Sequence, residues 1–186
     1  IEEILKQDMA LCFKFLRYIN SAWFGWQQKI ESIRRALVLL GEREVRRWVT
    51  LVAVAGMSDD KPAELLVHAV TRARFCELIA AVARLPRRAE DLFLTGMFSL
   101  IDAVLDRPLH SLLRDLPLAK DVKTALLSAS GPLAGAYGCA LAYEKGNWDE
   151  FSAVAQASGV EETPCARLYL EAVQWGRRCF EEALGS

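Results

Sequence analysis

The sequence has few of the residues that metal-dependent and nucleophilic enzymes need. Among its 186 residues there are only two histidines, His68 and His110, and neither is followed by Asp. The five cysteines are scattered, odd in number and without Cys-x-x-Cys spacing. This pattern indicates reduced thiols in a cytoplasmic protein, and argues against both a disulfide framework and a zinc site. No cysteine has a histidine placed to act as its base, so a cysteine nucleophile is not supported.

Long apolar runs and an excess of charge of one sign are also missing. No run approaches the roughly 18 apolar residues needed to cross a bilayer, and no signal peptide is visible at the start. The 23 basic and 24 acidic residues give a net charge of −1, which argues against nucleic-acid binding through a general basic field. Because the sequence opens with Ile1 and not Met, we expect it to be cut from a longer protein.

The residues that are present are on the apolar side for a soluble chain. Hydrophobic residues make up 53% of the chain, and the mean hydropathy is +0.14. This excess indicates either a large core or an exposed apolar patch that meets a partner or a missing domain. The most apolar stretch, Leu92–Leu105, has polar neighbours only at helical spacings. These neighbours would share one narrow strip of a helix: Asp91, Thr95, Ser99, Asp102 and Asp106. We therefore predict a single buried helix over 92–105, at the centre of a helical domain.

Helix start and stop signals recur along the rest of the chain. Ser32 can cap a helix that Gly41 ends, and Pro62, Asn147 and Pro164 stand where further helices would begin. The small residues of 133–145 would let that helix pack closely, and we expect its neighbour to be the central helix. The sequence predicts an all-α fold without strands, in one domain over residues 1–186.

Several stretches resemble the HD-related output domain, or HDOD, family. The similar segments, in order, are Asp8-Met-Ala-Leu, Asn20-Ser21-Ala22, Phe24-Gly25, Ser32-Ile33, Leu40-Gly41 and Gly96-Met97-Phe98-Ser99-Leu100-Ile101-Asp102. In the related HD phosphohydrolases, a metal-binding His-Asp pair falls at the positions of Ser99 and Leu100. A hydroxyl is a poor ligand for a divalent cation and an aliphatic side chain is none. The resemblance therefore implies an enzyme scaffold with a degenerate metal site, and hence no catalytic residues, no metal and no cofactor.

Two further stretches are similar to HDOD domains that follow an EAL domain, which acts on cyclic di-GMP. They are Arg72-Ala-Arg74-Phe-Cys-Glu77 and Tyr143-Glu144-x-Gly146-x-Trp148. The resemblance implies a bacterial, cytoplasmic, non-catalytic output or regulatory module, truncated at its N-terminal edge and preceded by an absent EAL domain. Its expected partners are that EAL domain, another signalling protein or a second copy of the chain, with no nucleic acid and no membrane span.

The candidate site residues fall into two groups. The first would form a polar pocket from Arg72, Arg74, Glu77 and Asp102, in which Arg74 and Glu77 are spaced to pair on one helix. Asp102 is either a solvated residue or a buried acceptor tied to an arginine. The second group is the aromatic cluster Trp23, Phe24 and Trp26, which is either a core plug or a partner-binding anchor.

Two other functions remain open from the residues alone. The first is a divergent phosphohydrolase with an unusual metal set built on Asp102 and Asp106. The second is a nucleic-acid adaptor, because helix, glycine and helix at 32–57 resemble a helix-turn-helix and carry a local charge of +3. The arginines of that stretch are Arg34, Arg35, Arg43, Arg46 and Arg47.

Overall fold

The computed structural model describes residues 15, 18–20, 30, 33–56, 63–116 and 118–183. Every regular element in these ranges is a helix, which confirms the all-α fold class. The helices are α1 (Ile33–Gly56), α2 (Ala63–Val82), a 3-10 turn (Pro86–Arg88), α3 (Ala89–Phe98), α4 (Ile101–Leu105), α5 (Leu109–Asp115), α6 (Lys120–Ser128), α7 (Ala134–Glu144), α8 (Trp148–Ser158) and α9 (Cys165–Ala183). Across the ranges described, no helix is both long and apolar enough to span a bilayer.

The chain divides into two compact units. The first comprises residues 1–59 with 177–186, and the second comprises residues 60–176. One domain over residues 1–186 stays a prediction.

The first unit has an aromatic core around Trp48, which is fully buried. Phe15 meets the Trp48 ring edge to face, with ring centroids 4.9 Å apart. Helix α1 is interrupted at Gly41, whose φ of +73° is a conformation that residues with a side chain rarely adopt. The predicted stop at this glycine is therefore confirmed. The Asn20 side-chain amide binds both backbone groups of Ile30: it donates to the Ile30 carbonyl at 2.8 Å and accepts from the Ile30 N–H at 2.7 Å.

The second unit is organised around α2. All five consecutive residues of 69–73 are buried, which requires neighbours on every side of the helix. Helix α3 lies closest, because a Cβ atom added to Gly96 would stand only 2.7 Å from the Ala73 Cα. The predicted burial of α3 is confirmed, since Leu92, Phe93 and 95–98 are buried, but the helix enclosed on all sides is α2.

The prediction of one unbroken helix over 92–105 is wrong. Helix α3 ends at Phe98 and α4 begins at Ile101, with Leu100 at φ −119° and ψ 10° between them. The Ser99 hydroxyl donates to the Gly96 carbonyl at 2.7 Å, and such local bonds compete with a regular helix. Thr95 bonds back to the Asp91 carbonyl at 2.8 Å within α3, which explains a fully buried threonine without a functional role.

The small residues of α7 serve a different neighbour from the one predicted. A Cβ added to Gly138 would lie 3.3 Å from Val154 Cγ1, and one added to Gly135 would overlap the Ser158 side chain. Both contacts are with α8, so α7 packs chiefly on the helix that follows it, and its contacts with α2 and α3 are less extensive. Asn147 begins α8 by accepting from the Glu150 N–H at 3.3 Å, as its position in the sequence predicts.

Three buried thiols in the second unit make its stability sensitive to alkaline pH. Burial raises the pKa of Cys139 to about 12 and of Cys165 to about 11, and it raises the pKa of Cys76 still further. An unfolded chain releases these protons from about pH 9, whereas the folded chain retains them. The contribution of these thiols to the stability of the folded chain is therefore fully present below about pH 9. It is lost as the pH rises toward the pKa values of the folded state.

We expect the free energy of unfolding to fall by about 1 kcal/mol or more per pH unit above about pH 9. Urea unfolding at about pH 8 and about pH 10.5 measures the slope. A variant with Cys139→Ala and Cys165→Ala should show a shallower slope. An identical slope in that variant would mean that other groups carry the effect.

Candidate functional site

A polar cluster with a buried centre lies where α2, α3 and α7 meet in the second unit. Its centre is Arg72 on α2, a residue that is only 8% exposed. Ser99 contributes from the end of α3, at the break before α4, and Glu144 from the last turn of α7. His68 lies one turn before Arg72 on the same helix, at the edge of the cluster, with its side chain 47% exposed. We call these four residues the Arg72 cluster.

Each nitrogen of the Arg72 guanidinium faces a different residue of the cluster. Its Nε donates to Glu144 Oε2 at 2.7 Å, and its Nη1 donates to the Ser99 hydroxyl at 3.0 Å. Its Nη2 lies 3.3 Å from His68 Nε2. The planar fork of an arginine presents donors in fixed directions, so these contacts also fix the three partners relative to one another.

The carboxylate of Glu144 is the anionic partner in this cluster. Its side chain is only 4% exposed, and Oε2 also lies 3.3 Å from His68 Nε2. The other oxygen, Oε1, is buried and accepts no hydrogen bond from the residues that the structure describes. Taking a carboxylate out of water is costly unless a cation compensates, and Arg72 supplies that cation.

The protonation of neighbouring groups reflects the same environment. Burial raises the pKa of the Tyr137 phenol, and the nearby Arg72 charge and Ser99 hydroxyl offset part of that rise. Burial also raises the pKa of the Cys76 thiol, and the Glu144 charge adds to the increase. Both groups are therefore neutral near pH 7, and Cys76 is an unreactive thiol.

Arg74 lies two residues from Arg72 and belongs to a separate cluster. It donates to Glu77 at 2.8 Å, the pair that its spacing suggested, and to Glu171 of α9, also at 2.8 Å. Its guanidinium also stands 5.7 Å from the centre of the Trp175 ring. The predicted pocket residues Arg72, Arg74 and Glu77 thus divide between two polar clusters, both anchored on α2.

The two acidic residues of the alternative metal set lie on the surface. Asp102 is exposed and accepts from the Ala103 N–H at 2.9 Å, so of the two interpretations given above it is the solvated one. Asp106 ends α4 in a left-handed conformation, with φ +49° and its N–H bonded to the Asp102 carbonyl. Pro108 occupies the capping position of α5.

The remaining candidate residues differ in what the structure describes of them. Leu100 is partly buried beside Ser99. The aromatic cluster Trp23, Phe24 and Trp26 lies outside the described residues. Of the arginines proposed for nucleic-acid binding, Arg35 is exposed, whereas Arg47 is 4% exposed and paired with Glu44. A buried, paired arginine is badly placed to reach a phosphate backbone.

Sequence reasoning missed the part played by Glu144 and Tyr137. In the sequence, Glu144 was noted only as part of a motif similar to HDOD domains. No residue next to it in the sequence indicates a contact with Arg72, which is 72 residues away. One signal was available: Glu144 is the only charged residue of α7, an otherwise small and apolar helix. A lone carboxylate in such a helix calls for a cation from elsewhere in the fold.

The Arg72 cluster does not suit a divalent metal ion. Of its members, only His68 and Glu144 are good ligands, and the guanidinium lies within 3.3 Å of both. In the part of the chain that the structure describes, no group of three or more His, Cys, Asp or Glu residues is arranged to hold a metal. The site is thus an arginine-centred polar junction between three helices.

The fold and this site define an all-α domain with an internal ion pair at its polar centre. The family model of the HDOD domain matches residues 1–105, more than half of the sequence. The chain belongs to the HDOD family, which confirms the resemblance noted in the sequence.

Two curated relatives match nearly the whole chain. It is 35% identical over 177 residues to the protein named cyclic di-GMP phosphodiesterase CdgJ of Vibrio cholerae, covering 95% of this chain and 41% of that protein. It is 33% identical over 178 residues to the protein YuxH of Bacillus subtilis, covering 94% of this chain and 43% of that one. The chain thus spans about two fifths of the length of these relatives. No solved structure matches.

Proposed function

We propose that this chain is the output module of an EAL-HDOD type protein of cyclic di-GMP signalling and that it acts without catalysing a reaction itself. Three findings support the proposal: membership of the HDOD family, the phosphodiesterase name of one relative, and the 41% share of that relative that the chain covers. On this proposal, hydrolysis of cyclic di-GMP belongs to an EAL domain outside the chain, and the HDOD module regulates it or relays its state.

The observation that carries the non-catalytic part of the proposal is that the guanidinium of Arg72 stands at the centre of the Arg72 cluster. A phosphohydrolase on this scaffold needs a divalent cation to activate water and to hold phosphate. Here a guanidinium reaches Ser99, Glu144 and His68 at 2.7–3.3 Å, the space in which a metal would have to gather ligands. Guanidinium cannot be deprotonated in proteins, and it does not coordinate a water molecule and lower the pKa of that water as a metal ion does.

A module without chemistry has to act through its surface. Six large apolar side chains are exposed among the described residues, and the three most exposed lie on different helices: Val38 on α1 (77%), Trp148 on α8 (58%) and Leu170 on α9 (58%). Single exposed apolar residues are ordinary, so each is a place to test for a contact and not a contact in itself. The partners we propose are the EAL domain of the same protein, a second copy and another signalling protein.

The test compares the full-length protein with the chain alone, in the presence of Mn²⁺ and of Mg²⁺. We expect the full-length protein to hydrolyse cyclic di-GMP and the chain alone to turn over neither cyclic di-GMP nor a simple phosphate ester. In the full-length protein, Val38→Asp should change the hydrolysis rate if that surface contacts the EAL domain. Ala166→Asp, at an exposed position in the first turn of α9, is the matched control.

Turnover by the chain alone, abolished by a chelator, would favour the divergent phosphohydrolase instead. Salt-dependent DNA binding that is lost in Arg35→Ala would favour the nucleic-acid adaptor.

A further inference from the structure

We infer that the Arg72 guanidinium is a built-in cation, which holds α2, α3 and α7 together at a point where a scaffold of this kind would otherwise bind a metal ion. The inference goes beyond the proposed output role and does not depend on which partner the chain has. It assigns the role of the central cation to the guanidinium of Arg72 itself, in place of a divalent metal.

The geometry of the fork is the first support. The three nitrogens of one guanidinium each face a polar atom of a different residue, at 2.7, 3.0 and 3.3 Å. Two of these partners lie outside α2, at the end of α3 and in the last turn of α7. A metal ion joins separate helices in the same way, by collecting donors from each. Here the joining is done by directional hydrogen bonds in a plane.

The charge of the cluster is the second support. The Glu144 side chain is 4% exposed and that of Arg72 is 10% exposed, so each compensates a charge that has little access to water. A divalent cation placed among the same donors would lie against a guanidinium that cannot lose its proton. The cluster is therefore balanced by its own arginine and has no place for a metal alongside it.

The position of Ser99 is the third support. The family resemblance places the metal-binding His of the HD enzymes at Ser99, and in this chain the Ser99 hydroxyl faces Arg72 Nη1 at 3.0 Å. That hydroxyl already donates to the Gly96 carbonyl at 2.7 Å, so it meets the guanidinium as an acceptor. The residue at the degenerate position thus accepts a hydrogen bond from a cation.

Chemical rescue tests this inference. In the full chain, Arg72→Ala should lower the thermal unfolding midpoint by about 5–15 °C, because it leaves Glu144 buried without a cation. Guanidinium or methylguanidinium, at concentrations far below those that unfold proteins, should restore a large part of that loss in a saturable manner. Ammonium, sodium and urea at the same concentrations should not.

Arg88→Ala is the matched control for the rescue. Arg88 also bonds two carboxylates, those of Asp91 and Asp121, both at 2.6 Å, but its side chain is 30% exposed. Its removal should lower the midpoint less, and free guanidinium should have no saturable effect there, because exposed ion pairs contribute little to stability.

Two results would overturn the inference without requiring Arg72→Ala to fold. Arg72→Lys keeps the charge but cannot reach three partners in one plane, so a variant as stable as the native chain would show that the fork is unnecessary. Saturable stabilisation of the native chain by Zn²⁺ or Mn²⁺, lost in Glu144→Gln, would show that the cluster accepts a metal beside Arg72. Equal stabilisation of native chain and Arg72→Ala by guanidinium would mean that the effect does not arise at this site.

Discussion

Replacing Glu144 with Gln should lower the free energy of unfolding by about 3–5 kcal/mol. The substitution keeps the shape of the side chain and removes its charge. Arg72, only 8% exposed, is then a buried cation without an anion, since its other contacts are a neutral hydroxyl and an imidazole. Urea unfolding at neutral pH measures the loss.

The same pair allows a double-mutant cycle. Arg72→Met should cost about as much as Glu144→Gln, because each single change leaves one charge unpaired, and the double variant should cost much less than the sum. An additive result would contradict the buried-pair assignment. Arg74→Met with Glu171→Gln is the comparison, since the Glu171 side chain is 33% exposed and the coupling there should be smaller.

Replacing Gly96 with Ala should be the most damaging small substitution in the second unit. A Cβ at this position would stand 2.7 Å from both the Ala73 Cα and the Arg72 carbonyl oxygen. Both atoms belong to the backbone of α2 and cannot turn aside, so the two helices have to separate. We expect a loss of about 3 kcal/mol or more in the free energy of unfolding.

Gly138→Ala is the matched control for this substitution. Both glycines lie inside helices, but a Cβ at Gly138 would meet only the Val154 Cγ1 atom, at 3.3 Å. That side chain can shift by a few tenths of an ångström, and alanine favours a helix over glycine by about 1 kcal/mol. The control variant should therefore stay within about 1 kcal/mol of the native chain. Equal losses in the two variants would contradict the close approach of α3 to α2.

Gly96→Ala should also disturb the Arg72 cluster. The Gly96 carbonyl accepts from the Ser99 hydroxyl, and Arg72 is itself part of the α2 backbone that a Cβ at Gly96 would strike. A shift of α3 away from α2 would carry Ser99 away from Arg72 Nη1. Hydrogen exchange of the 96–101 amides, compared between native chain and variant, would report that separation.

Local signals predicted several helix ends. Gly41 with its positive φ and Asn147 as a cap each mark a helix end through a conformation or a bond of their own neighbourhood. A boundary of that kind depends on a few adjacent residues, so it can be predicted from the sequence. The break at Ser99 was missed because Ser99 sits among apolar residues that are all compatible with a helix.

The pairing of polar side chains could be predicted only where the two residues lie close together in the sequence. Arg74 and Glu77 are three residues apart on one helix and were paired correctly. The prediction that Asp102 shares a pocket with Arg72, Arg74 and Glu77 failed. The direction in which the Asp102 side chain points depends on the break before α4. Arg72 and Glu144 are separated by 72 residues, and no local rule relates them.

The sequence by itself determined the fold class, the family and the absence of any histidine followed by Asp. Each follows from residue types, periodicity and the order of short motifs, which need no knowledge of distant contacts. The tertiary structure alone decided what stands at the centre instead, namely an arginine of α2 shared between the ends of α3 and α7. The physical reason is that a buried charge finds its partner across the packed interior, and that partner is fixed by how the helices meet.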